Sequence, residues 1–175
     1  MTDIVIRVAR PDDAGPLSVL GWETFLDTFV KGFGIPYPEE DLATFFAQSY
    51  TPEAYARVIA DPSRRVWLAE RGGEGVAYVT AGNNALPHPE ARPGEGELKA
   101  LYVRRELHGS GLAPRLMDTA LAWLDPEGGR RLWLGVWSGN LRAQRFYARY
   151  GFHKAGEYEF PVGRVRDREF ILRRG

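Results

Sequence analysis

From Leu98 to Met117 the chain reads LKALYVRRELHGSGLAPRLM: a run of strand-forming residues, a turn holding Gly109 and Gly111, and a helical pattern in immediate succession. A helix that starts straight after a strand leaves its first backbone N–H groups unpaired, and those groups suit an anion such as a pyrophosphate. Gly109 and Gly111 carry no side chain to hold a ligand off the backbone, and Ala113 adds little bulk in the first helical turn. A plain turn would use the same glycines, so the motif alone leaves both readings open. A dinucleotide fingerprint wants a third glycine where Pro114 stands, and a Walker loop wants Gly-Lys-Ser/Thr; this chain has neither.

Asn140 and Tyr147 form a second candidate pair. Asn140 follows the apolar run RLWLGVW and stands where a helix cap belongs. Tyr147 comes about two turns later, roughly 10 Å along the axis and on nearly the same face. The two could border one ligand; equally, Asn140 could only cap the helix while Tyr147 packs within an aromatic stripe. Gly135, inside the apolar run, marks either a bulge or the close approach of another backbone, which leaves room beside the strand carrying Tyr102 and Val103.

The elements that must position these residues follow from periodicity and turn chemistry. Ile4, Ile6 and Val8 alternate as a strand. A helix with Leu17, Leu20, Phe25, Phe29 and Val30 on one face follows, then a second from Glu39 to about Gln48. A third runs from Glu53 to Ala60, capped by Thr51 with Pro52 at its first position. Segments 65–70 and 76–80 read as a hairpin around RGGEG, and residues 83–96, with three prolines and two glycines, as a mobile loop. Strand 98–103, helix 111–124, strand 131–137, a helix from Asn140 closed by Gly151, and strands 153–160 and 165–172 complete the chain. This order predicts an α+β (mixed α/β) fold, with a central, mixed, mostly antiparallel sheet flanked by helices. The strands at 98–103 and 131–137 would be parallel across a right-handed crossover. Phe160, Val162, Phe170 and Ile171 on the closing strands could meet a second subunit in a homodimer.

With 175 residues the sequence reads as a single domain, residues 1–175. Lysine plus arginine equal aspartate plus glutamate at 23 each, so no basic field draws the protein to nucleic acid or an anionic membrane. No apolar run reaches the roughly 18 residues of a membrane helix, and Arg7 and Arg10 interrupt what a signal peptide would keep apolar, so a cytoplasmic location is expected. The chain has no cysteine, which excludes a thiol nucleophile and thiolate metal sites. Its three histidines are widely spaced, and no metal is expected.

Taken together, these pieces resemble the GCN5-related N-acetyltransferase (GNAT) superfamily. HGSGLA at 108–113 matches its Q/R-x-x-G-x-G/A acetyl-CoA signature, and ELKALYV and LWLGVWSGNLRAQRFYARYGF look like that family as well. The closest likeness is to the bacterial polyamine-acetyltransferase-like branch. The resemblance implies direct transfer of acetyl from acetyl-CoA to the primary amine of a small molecule or peptide. It implies pyrophosphate binding by the amides from Gly109 through Ser110, Gly111 and Leu112 to Ala113, and pantetheine pairing with the backbone of Leu101, Tyr102 and Val103. Asn140 and Tyr147 would line the same cofactor. His108 departs from the usual Gln or Arg, which weakens side-chain support without removing the backbone cradle.

The resemblance further implies that Glu97 is the base, with Glu95 or a chain of water molecules as the alternative, and that Tyr147 protonates the leaving thiolate. A base matters, because an alkylamine with a pKa near 10.4 costs about 4.6 kcal/mol to deprotonate at neutral pH. Acceptor choice would come from the GWETFLDTF segment and residues 83–96, with Glu23, Asp27, Glu39, Glu40 and Asp41 as acids that could attract a cationic amine. Two other readings compete. One is a non-catalytic acyl-CoA-binding or protein-interaction module; the other, a Rossmann-type nucleotide binder, lacks the third glycine.

Overall fold

The alternating and turn-bounded segments form strands where the pattern places them, in a computed structural model that describes residues 3–175. The elements are β1 (Ile4–Val8), α1 (Ala14–Phe25), α2 (Glu39–Ser49), α3 (Pro52–Ala60), β2 (Arg64–Arg71), β3 (Glu74–Asn83), β4 (Gly96–Val103), α4 (Leu112–Leu124), β5 (Leu132–Trp137), α5 (Leu141–Ala148), β6 (His153–Val162) and β7 (Val165–Arg174). They build one seven-stranded sheet in the order β1-β2-β3-β4-β5-β7-β6. Neighbours are antiparallel except β4 and β5, the expected parallel pair. α3 begins as its sequence implies, with Pro52 in its first turn and the Thr51 side chain accepting from Ala54 N at 3.1 Å.

Alternation along the strands sends side chains to two cores. Ala77, Val79, Leu98, Leu132 and Leu134 pack with Leu116, Met117 and Ala120 of α4 and with Tyr147 of α5. Tyr78, Ala100 and Tyr102 point to the other face, where α1, α2 and α3 supply Leu17, Leu20, Phe25, Phe45 and Tyr55. Full burial of each leucine stabilises the fold by about 1.5–3 kcal/mol relative to exposure.

Three local departures from the periodic reading shape the cleft described below. The first helix ends as an α-helix at Phe25 and continues over Leu26–Gly32 as a π-helical turn. Apolar spacing cannot distinguish the two, since Phe29 and Val30 fall on the helical stripe either way. The strand predicted over 76–80 extends to Glu74–Asn83, and its pairing with β4 slips between Thr80 and Ala81, leaving Lys99 as an extra residue that bends β4.

The loop before β4, expected to be mobile, is tied at several points. Trp133 Nε1 donates to Glu95 Oε2 at 2.6 Å, Ala85 N donates to Glu97 Oε2 at 2.8 Å, and Arg173 pairs with Glu90. Its prolines and glycines give no sign of these partners, which come from β4, β5 and β7.

The proposed subunit-contact positions also turn inward. Val162 and Ile171 are wholly buried in this chain's own interior, and Phe160 and Phe170 pack against the two cores. Strand alternation identified them as apolar but not which face was already covered. No helix among the described residues is long and apolar enough to cross a membrane.

Candidate active site

β4 and β5 pair only over Gly96–Leu98 with Leu132–Leu134. Beyond those three positions the strands run on to Val103 and Trp137 without pairing to each other, so among the described residues the β4 backbone from Lys99 onward has no strand partner on the β5 side, and the Val103 carbonyl at its end accepts from His108. The gap opens into a cleft of about 970 Å³ that reaches both faces of the sheet. On one face α4 and α5 border it. On the other, the π-helical turn sets Phe29 and Phe33 beside Trp137, at ring-centroid distances of 6.4 and 4.6 Å.

At the α4 end, Gly111 is the helix N-cap in the left-handed region (φ 84°, ψ 2°), and Gly109 has φ 83°. Residues with a Cβ pay about 1–2 kcal/mol for that conformation, which is why glycine recurs here. Ser110 N donates back to Leu107 O at 3.2 Å. The amides of Gly109, Gly111, Leu112 and Ala113 find no acceptor among the described residues, and Pro114 has no amide to satisfy. Four of the five amides expected to face an anion are therefore free, and that of Ser110 is spent within the turn. Leu112 contributes only its backbone, since its side chain is core at 1% exposure.

His108 stands on the cleft wall, with Nε2 2.9 Å from Val103 O and Nδ1 2.9 Å from Arg142 Nη1. Arg105, Arg142 and Arg149 also line the cleft and add positive charge; no motif pointed to them, because arginine is common on exposed helix faces. Asn140 does both things its position allowed. It borders the cleft, and its Oδ1 accepts from Ala143 N at 3.0 Å as an N-cap. Tyr147 also borders the cleft and is 9% exposed. Its hydroxyl has no hydrogen-bond partner among the described residues, and burial pushes its pKa well up, so it keeps its proton.

Glu97 reaches the same cleft from β4, 8% exposed. Its Oε2 accepts from both Ala85 N and Lys99 Nζ, each at 2.8 Å, while Oε1 is free among the described residues. Glu95, the alternative, is turned away to Trp133 and Arg131 and is not part of the wall. Most of the acids considered for attracting an amine are engaged elsewhere: Asp41 is buried against Arg164, Glu23 pairs with Arg104, and Asp27 pairs with Lys31.

The cleft thus gathers Glu97, Leu101, Tyr102, Val103, His108, Gly109, Gly111, Ala113, Asn140 and Tyr147. Glu169 of β7 and Tyr158 of β6, which no sequence motif marks, also line the cleft, with Tyr158 Oη donating to Glu169 Oε2 at 2.7 Å. Tyr158 alternates with glutamates as on any half-exposed strand, and Glu169 ends a charged run that starts at Arg166, so nothing local distinguishes them.

Comparison with known proteins places the chain in a family. The sequence profile of the acetyltransferase (GNAT) family matches residues 22–152. An uncharacterized N-acetyltransferase of Mycobacterium bovis is 33% identical over 133 residues, covering 76% of this chain and 81% of the relative. Among solved structures, the PaiA N-acetyltransferase of Thermoplasma acidophilum in complex with coenzyme A superposes with a TM-score of 0.75 at 19% identity, covering 98% of each chain. The ribosomal-protein-S18-alanine N-acetyltransferase of Escherichia coli superposes with a TM-score of 0.65 at 16% identity, covering 98% of this chain and 93% of that one.

Proposed function

Since the chain belongs to the acetyltransferase (GNAT) family, we propose that it binds acetyl-CoA in the gap between β4 and β5 and transfers the acetyl group directly to a primary amine of a small molecule or peptide. The observation that carries this reading is the unpaired edge of β4 leading to the free amides of Gly109, Gly111, Leu112 and Ala113, with the unpartnered Tyr147 hydroxyl in the same cleft. Those features fit the group: an extended pantetheine can pair with a strand edge, and a pyrophosphate can accept from a helix start in a cleft that Arg105, Arg142 and Arg149 also line.

Acetyl-CoA would supply an acetyl thioester, an activated carbonyl with a good leaving group. Tyr147, protonated because it is buried, donates its proton as the sulfur leaves and regains one from solvent. Glu97 Oε1 takes a proton from the amine nitrogen as it attacks, while Lys99 and the Ala85 amide hold the other oxygen in place. The acceptor belongs with soluble cationic amines of the cytoplasm rather than nucleic acid or membrane, and a polyamine is the first compound to assay, in keeping with the polyamine-acetyltransferase-like branch. No metal enters this scheme. A homodimer, if formed, would use the unpaired edge of β6 rather than the buried Val162 and Ile171.

Thermal unfolding with acetyl-CoA, CoA and NADH tests the cofactor before the acceptor is known. Acetyl-CoA at 100 times its dissociation constant should add about 2.7 kcal/mol, roughly 5–10 °C, with no shift from NADH. Release of CoA with spermidine, tyramine or an alanine-headed peptide then establishes transfer. Binding of acetyl-CoA without release on any amine would leave a binding module.

A further inference from the structure

We propose that Glu169 receives the acceptor: its carboxylate binds the incoming ammonium group and takes the first of the two protons that the nitrogen must lose. This rests on the transferase reading above and assigns the acceptor side of the same cleft. The proton balance calls for such a group. An amine arriving as R–NH3+ sheds one proton to become nucleophilic and a second as the new C–N bond becomes an amide, while the sulfur of the broken C–S bond takes up one. Glu97 Oε1 and Tyr147 account for the second loss and the uptake, and the first loss has no acceptor among the residues assigned so far.

Glu169 stands at the right place. On β7 it pairs with Trp137 of β5 and with Tyr158 of β6. Gly135 is the first β5 residue beyond the last β4–β5 pair, at the mouth of the gap. A Cβ on Gly135 would lie 2.7 Å from Tyr158 Oη and 2.9 Å from Glu169 Oε2, so the Tyr158–Glu169 pair fills the space a side chain there would occupy. Glu169, Glu97 and Tyr147, a buried residue whose hydroxyl has no partner among the described residues, all border one cavity.

The charge is also available. Glu97 has Lys99, Asp27 has Lys31, and Asp41 has Arg164, whereas Glu169 and Asp167 have no cationic partner among the described residues. Asp167 accepts from the Tyr37 hydroxyl, and Glu169 Oε1 is free of protein donors among the described residues. The groups facing Glu169 are Tyr37 before α2, Tyr50 after α2, Tyr102 on β4, Tyr158 on β6 and Asp167 on its own strand. Phenol rings around a carboxylate suit a cation, which gains from both. Burial pushes the Glu169 carboxyl up to about 7; the Asp167 charge adds to the rise and the Tyr158 hydrogen bond opposes it. It can therefore lose and regain a proton near neutral pH, as an acceptor of that first proton must.

The test compares kcat/KM between about pH 5.5 and 9 for the wild type, Glu169→Gln and Tyr158→Phe, with spermidine, tyramine and an alanine-headed peptide as acceptors. Wild-type activity should rise with pH as Glu169 deprotonates. Glu169→Gln should lower kcat/KM by about 100-fold and remove that limb, with acetyl-CoA affinity changed by no more than about twofold. Tyr158→Phe removes the hydrogen bond that favours the anion and should move the limb to higher pH. A Glu169→Gln enzyme with the wild-type rate and limb, or an unmoved limb in Tyr158→Phe, overturns the assignment. Should the wild type acetylate none of the amines, the transferase reading fails on its own. The assignment is then decided by carbon-13 NMR of carboxyl-labelled glutamates: a resonance absent from Glu169→Gln must titrate near neutral pH and shift with spermidine, and its failure to do so overturns the proposal.

Discussion

On the α4 and α5 side the cleft offers backbone groups, the amides of Gly109, Gly111, Leu112 and Ala113 and the β4 edge, all without backbone partners among the described residues, beside the side chains of His108, Asn140 and Tyr147. On the α1, α2 and α3 side it is bounded by side chains, among them Glu97, Tyr158, Glu169 and Phe33. A backbone site depends on where the chain turns and tolerates exchange of most side chains around it, provided the glycines stay. A side-chain site depends on what each strand happens to carry and can be re-specified one residue at a time. The cofactor half should therefore be uniform among chains that fold this way, and the acceptor half should differ between them.

The largest effect expected separates chemistry from binding. Tyr147→Phe removes the proposed proton donor to the sulfur without touching an amide of the cradle, and turnover should fall by about 100-fold or more while acetyl-CoA affinity holds. Glu97→Gln should do the same through the nitrogen. Steady-state kinetics alongside calorimetric titration of acetyl-CoA read both quantities, and wild-type turnover in either variant removes that residue from the mechanism.

Two glycines sharpen the comparison, one on each side. Gly111→Val forces a branched side chain into the left-handed region, where the strain alone is about 1–2 kcal/mol, so the acetyl-CoA dissociation constant should rise about 5- to 30-fold. Gly135→Ala places a methyl group against Tyr158 and Glu169, and should lower kcat/KM for the acceptor about tenfold while acetyl-CoA affinity stays within about twofold. Equal effects of the two substitutions on both parameters would mean that the halves are not separable.

The same division explains what the sequence made legible. Gly109, Gly111 and Ala113 lie within six consecutive residues behind a strand, so spacing alone suggested the cradle, and the resemblance of HGSGLA to a known signature did the rest. The order of strands and helices along the chain and the parallel β4–β5 pair followed from alternation and crossover rules. Tyr37 and Asp167, by contrast, are 130 residues apart and meet only because the β6–β7 hairpin crosses in front of α2. Glu169 becomes distinctive only when Gly135, on a different strand, gives it room. The π-helical turn escaped for a related reason: a wider turn keeps its apolar residues near the same stripe, and only the hydrogen bonds reveal it.

His108 is where the backbone account is most exposed to challenge, because the family signature usually has Gln or Arg at this position. The Val103 carbonyl can only accept, so the imidazole carries its hydrogen on Nε2 and offers the Nδ1 lone pair to Arg142. The ring thus ties the end of β4 to the first turn of α5 across the gap. His108 is exposed, and hydrogen bonds of this kind contribute about 1 kcal/mol or less each. His108→Ala loses both, but it also releases the Val103 carbonyl, which a bound pantetheine could then use. The two changes oppose each other, and the acetyl-CoA dissociation constant should rise only about two- to fivefold, the smallest effect of the set. Titration calorimetry with acetyl-CoA measures it directly. A loss as large as that of Gly111→Val would mean that the cofactor half, too, is built from side chains, and that His108 is a substitute for the usual residue rather than a position the amides have made dispensable.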